Sequence, residues 1–141
     1  MKKIIKISCM LFSIAFIITF IPVKTCAKVT NPFASQTQER PLLAPESGKY
    51  LRIIAAEISC DDKSLKQLYR YYIKNRNKFE YVVIDFGTGN GLFCNKKNKT
   101  FIYGKLQKNN KTNSYKISKK KGTIKIKGKS VIRKTGNRLP D

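Results

Sequence analysis

Between Tyr115 and Lys127 apolar side chains and lysines alternate, and a period of two is satisfied only by extended chain with one dry face and one wet, charged face. Tyr115, Ile117, Ile124 and Ile126 fall on the first face, and Lys116, Ser118, Lys125 and Lys127 on the second. The pattern predicts two strands, 115–118 and 123–127, paired as a hairpin through Lys119-Lys120-Lys121-Gly122.

Those lysines belong to a wider asymmetry. The 141 residues hold 30 Lys+Arg, 8 Asp+Glu and no His, a formal charge of +22. Residues 95–141 carry 16 basic side chains against Asp141 alone, whereas residues 28–94 carry 10 basic and 7 acidic groups. The cationic character therefore lies in the last third. The absence of histidine removes the Ser-His-Asp triad, the Cys-His pair, His-metal sites and imidazole acid/base work, so most hydrolase chemistries have no residues to run on.

Residues 1–27 read as an export signal: Met1-Lys2-Lys3 is a positive start, Ile7 to Val23 carries no charge, and Thr25-Cys26-Ala27 offers small residues for cleavage after Ala27. The alternative is an uncleaved membrane anchor with the same outward orientation. Either leaves the domain secreted, periplasmic or outside the cytoplasm on a membrane.

Along the remaining chain, residues 28–48 contain Pro32, Pro41 and Pro45 among polar residues and predict a flexible tether. Residues 50–58, apolar on both faces, predict a first strand. Leu65, Leu68, Tyr69, Tyr72 and Ile73 form one helical stripe over 62–76, with Asp61 and Asp62 suited to its start. Tyr81 to Phe86 is a continuous β-branched and aromatic run, the pattern of a central strand, and Thr100 to Leu106 adds a third. Strand, helix and strand make a right-handed βαβ unit with parallel strands. The expected fold is α+β: a small, mostly antiparallel sheet of about 4–5 strands over residues 49–130, one amphipathic helix on one face, and a basic tail at 131–141.

Two resemblances accompany these patterns. Val82-Val83-Ile84-Asp85-Phe86-Gly87-Thr88-Gly89-Asn90-Gly91 resembles the first motif of class I S-adenosylmethionine methyltransferases, which implies cofactor binding at 85–91 and a helix directly behind the glycines. Leu92 to Lys99 has no helical stripe and no acid follows until Asp141, so the string reads as a Gly-rich turn and no cofactor is expected. Lys49 to Ile54, the helix opening Asp61-Asp62-Lys63-Ser64-Leu65, and Lys78 to Phe86 together resemble small exported bacterial domains of uncharacterised function. In those, strand and helix lead to a "YDAVVVFFYD"-like strand; the resemblance implies a fold and no activity.

Cys60 follows the first strand and Cys94 follows the second. If the strands are parallel neighbours, both cysteines lie at one sheet edge, so a disulfide is expected, contributing about 3–4 kcal/mol in the chain-entropy model. Among the carboxylates left without a capping or tether role, Asp85 and Glu57 are the pair a secreted enzyme would use across a sugar site. The basic third points elsewhere: Lys96, Lys97, Lys99, Lys105, Lys108, Lys111 and Arg138 contribute to a polyanion-attracting surface centred on Lys116, Lys119, Lys120, Lys121, Lys125, Lys127, Lys129, Arg133 and Lys134, suited to an anionic envelope polymer, lipid headgroups or extracellular nucleic acid. Phe101, Tyr103 and Tyr115 would stack on bases where exposed. Lys outnumbers Arg, which favours diffuse charge over bidentate readout, and no catalytic residue or metal site is assigned.

Overall fold

A computed structural model describes residues 28–97 and 100–135. The export segment, Lys99 and Arg138 lie outside the described residues. Seven strands form one sheet in chain order: β1 (Thr37–Pro41), β2 (Lys49–Ile54), β3 (Tyr81–Asp85), β4 (Asn90–Asn95), β5 (Thr100–Asn109), β6 (Ser114–Lys127) and β7 (Ser130–Thr135). Helix α1 (Asp62–Lys74) connects β2 to β3, which pair in parallel, and every other neighbour pair is antiparallel.

The sheet is thus larger than the 4–5 strands expected, and the molecule is a seven-stranded mixed sheet, close to all-β, with a single helix. The additional strands come from segments whose local sequence does not look extended. Residues 37–41, expected as tether, pair with β2 at the sheet edge, where Pro41 lies opposite Lys49; a proline without an N–H is tolerated on an edge strand. β7 takes in residues 131–135 of the segment expected as tail and forms the other edge against β6. The first strand ends at Ile54 rather than 58, because the chain turns through a short 3-10 segment, Glu57–Ser59, before the helix.

Helix α1 begins where Asp61 accepts the Ser64 N–H at 2.7 Å, a bond that holds the Asp61 carboxyl below its ordinary pKa. Its buried stripe is Leu65, Leu68 and Tyr72. It packs on one face of the sheet against Leu51, Ile53, Val82, Ile84, Leu92, Phe101 and Ile124. Full burial of Leu65 and Leu68 stabilises by about 1.5–3 kcal/mol each. Tyr72 keeps its hydroxyl satisfied by donating to the Glu80 carbonyl at 3.0 Å, which fixes the helix against the entry to β3.

The other face has a second, smaller core of Tyr50, Tyr81, Val83 and Tyr115, with Leu42, Phe93 and Leu106 packed on it. This core corrects the predicted hairpin. β6 runs without interruption through Lys119–Gly122, and the turn joining it to β5 lies at 110–113. The register with β5 shifts at Tyr103/Gly104 and again at Lys105/Leu106, and such bulges bend the paired strands. Past the bend the arm crosses the second face, donating the Leu106 N–H to Gly89 and the Tyr115 N–H to the Tyr81 hydroxyl. Its tip reaches the far edge, where the Leu43 N–H donates to Thr112 at 2.8 Å and Asn113 Nδ2 donates to Pro41 at 2.8 Å. Tyr115 therefore serves the second core while Ile124 and Ile126, expected on the same surface, serve the first.

The expected Cys60–Cys94 disulfide is not formed, and both cysteines are buried. Cys94 lies inside β4 and not in a loop, and β4 runs back along β3, so Cys94 pairs with Val82 at the start of β3. Cys60 lies beyond the far end, past the Ile54–Asp85 pair. Three residues of strand, roughly 10 Å at about 3.3 Å per residue, separate those levels, well beyond bridging reach. Burial pushes both thiols up to about 12.

Candidate polyanion-binding surface and cleft

The open end of the sheet carries the lysines that alternation placed on the wet face. Ile124 and Ile126 point into the helix-side core, so Lys125 and Lys127 must project from the opposite face. On β7, Lys134 lies opposite Thr123 and Ile132 opposite Lys125, which puts Lys134 and the exposed Ile132 on that same face. Further along, Lys105 and Lys119 are direct cross-strand partners, a like-charge juxtaposition that disfavours pairing and favours an anion between them. Lys120 is exposed opposite Gly104, and Lys121 donates to Asn90 Oδ1 at 2.9 Å.

Among the described residues three ion pairs occur, Arg52–Asp85 at 3.6 Å, Lys96–Glu80 at 3.0 Å and Arg133–Asp62 at 2.7 Å. None involves the lysines of β5 and β6, nor Lys134. Arg133 departs from the expected site. It faces the helix side, where its guanidinium is held by Asp62 and the Cys60 carbonyl, and so it locks β7 to the start of α1. Lys129 sits in the turn between β6 and β7, and its carbonyl accepts from Lys66 Nζ at 3.1 Å.

Where the arm tip meets the 42–48 loop there is a cleft of about 640 Å³, bounded by Glu46 on one side and by the 107–111 and 114–116 segments on the other. Lys108, Lys111 and Lys116 contribute to it, with Tyr81 and Tyr115 beneath. Lys105, Lys108 and Lys111 belong to the basic third expected to attract polyanions. No local signal connects Glu46 to residues 107–116, since only the closure of the arm across the sheet brings them together.

The tyrosines below the cleft are buried, Tyr81 at 7% and Tyr115 at 8% exposure. Tyr81 lies in a row between Tyr50, stacked at 4.7 Å, and Phe93 at 4.8 Å. Tyr115 has the Arg52 guanidinium at 5.8 Å and the Lys108 ammonium at 5.9 Å over its ring. Phe101 is buried in the helix-side core. The expectation that Phe101 and Tyr115 stack on bases is therefore overturned, because both rings are spent on packing. Burial raises the Tyr81 hydroxyl above its ordinary pKa, so it stays protonated and accepts the Tyr115 N–H across the neutral range.

Asp85 and Glu57 are not brought together. Asp85 faces the second core, paired with Arg52 and accepting the Gly87 N–H at 2.8 Å. Glu57 lies in the 3-10 turn, where its charge acts on Cys60 and Tyr103 on the helix side. The glycine run starts as the tight β3–β4 turn at 87–89, with Gly87 and Gly89 at φ of 75° and 88°, and Gly91 already lies in strand β4, which stands where a cofactor-binding helix would begin. Among the described residues no helix is long and apolar enough to cross a membrane. Comparison of the chain with protein-family models, with curated proteins and with solved structures gave no match.

Proposed function

We propose that this chain is an exported, non-enzymatic domain that adheres to an anionic polymer through the lysines of β5, β6 and β7. The observation that carries it is the open face bearing Lys125, Lys127 and Lys134, whose ammonium groups have no carboxylate partner among the described residues. Unneutralised cations fixed on one rigid strand pair attract a polyanion and release its counterions on contact. The leader-like pattern at 1–27 supports export, and the buried aromatic rings favour a partner held by charge over one held by base stacking.

The test is titration of the full chain with oligothymidylate, used as a generic polyphosphate, at salt from 50 to 200 mM. Each ammonium contributes about −0.7 to the slope of log K against log salt on a single strand, so Lys125→Gln/Lys127→Gln/Lys134→Gln should flatten the slope by about 2. Binding indifferent to salt, or a slope unchanged in the triple variant, overturns the assignment. Export is checked separately by intact mass, with a product beginning at Lys28 expected.

A further inference from the structure

We propose that the cleft between the arm tip and the 42–48 loop is a binding site for an acidic sugar unit of the anionic polymer. This inference rests on the polyanion assignment and deepens it, naming the polymer as a polysaccharide.

The cleft is already built. Its two walls are tied by Leu43 N–H to Thr112 and by Asn113 Nδ2 to Pro41, and its base by Tyr115 N–H to Tyr81. The tip is braced internally by the Lys111 N–H on Asn109 Oδ1 at 3.0 Å and by the Thr112–Ser114 hydroxyl contact at 2.7 Å. Little ordering is left for a ligand to impose, which favours binding. At about 640 Å³ the space matches the range of small-molecule sites.

The lining selects the chemistry. Lys108, Lys111 and Lys116 face a single carboxylate, Glu46, and none of the four is in an ion pair among the described residues. That net positive charge calls for an anion. Gln107, Asn110 and Ser114 add neutral donors and acceptors, and Glu46 adds an acceptor, which together suit a ligand rich in hydroxyl groups. A nucleoside would need an exposed aromatic face, and Tyr81 and Tyr115 are both buried, packed with Tyr50, Phe93, Arg52 and Lys108. An acidic saccharide uses the charge and the amides without needing a ring to stack on.

The experiment is calorimetric titration of the full chain with a galacturonate trisaccharide, the neutral galactose trisaccharide, and inorganic tripolyphosphate. The uronate trisaccharide should bind, and the other two should bind about tenfold more weakly or worse. Lys111→Gln/Lys116→Gln should weaken the uronate trisaccharide about tenfold, while Lys125→Gln/Lys127→Gln on the open face should leave it within about twofold. These lysines are exposed, so the variants keep the fold, checked by circular dichroism. Tripolyphosphate binding as tightly as the uronate, or both variants acting alike, overturns the site in favour of diffuse charge. Absence of trisaccharide binding with salt-dependent oligothymidylate binding intact rejects the cleft alone. Loss of both rejects the polyanion assignment as well.

Discussion

Tyr81→Phe removes one oxygen and nothing else from the place where the arm is fastened to the sheet. The Tyr81 hydroxyl accepts the buried Tyr115 N–H at 2.9 Å across 34 positions of sequence, while the ring packs between Tyr50 and Phe93. Phenylalanine keeps the ring contacts, so the change isolates the hydrogen bond. A buried backbone N–H left without an acceptor costs about 1–3 kcal/mol. Tyr81 and Tyr115 also border the cleft, so water reaching the amide would bring the cost to the lower end of that range. In urea, with a slope of about 1–3 kcal/mol per molar, the unfolding midpoint should fall by roughly 0.3–1 M at unchanged slope. Amide exchange at Tyr115 should accelerate about tenfold for each 1.4 kcal/mol lost. An unmoved midpoint with unchanged Tyr115 exchange would refute the claim that this bond holds the arm across the second face.

Three further outcomes follow from the same structure. In Gly91→Ala the new methyl would collide with the Ile84 carbonyl oxygen and the Leu106 side chain, so urea unfolding should show a loss of about 1–3 kcal/mol. Stability should fall as pH rises above about 9: the unfolded thiols ionise near 9 while Cys60 and Cys94 stay protonated to about 12 when folded, so each pH unit costs about 1.4 kcal/mol per thiol in that window. Tyr72 and Tyr81, raised by burial, act in the same direction above about 10, and a flat thermal midpoint between pH 8 and 11 would contradict all four assignments. Iodoacetamide labelling mapped by mass spectrometry should leave Cys60 and Cys94 unmodified in the native chain and modify both after denaturation without reductant; protection that persists would reinstate a disulfide.

Local period alone determined the helix, the central strand and the wet face of β6. Leu65, Leu68 and Tyr72 recur at helical spacing and all three are buried, because a helix buries one stripe whatever it packs against. Tyr81 to Ile84 is an aromatic and β-branched run, buried throughout, in a strand that lies between two others with both faces covered. Lys125 and Lys127 alternate with Ile124 and Ile126 and are exposed, since extended chain has no other way to dispose of them. The charge asymmetry, and with it the polyanion assignment, was likewise present in composition.

What the tertiary structure decided is which segments lie opposite one another. Lys119-Lys120-Lys121-Gly122 has the composition of a turn, yet it continues β6 through the bend because β5 supplies partners on both sides of the bulges and the lysines lie at the exposed surface. Thr37–Pro41 has no pattern of its own and becomes a strand only because the edge of β2 offers hydrogen bonds. Cys94 returns to the wrong end of the sheet for Cys60 because three residues at 87–89 suffice to reverse the chain. Arg133 turns inward to Asp62, 71 positions away, and Glu46 meets Lys111 only when the bent arm closes over the second face. A period reports whether a side chain is wet or dry, whereas a cleft is made by register, bulges and hydrogen bonds between segments far apart in the chain, and these are set only when the whole sheet assembles.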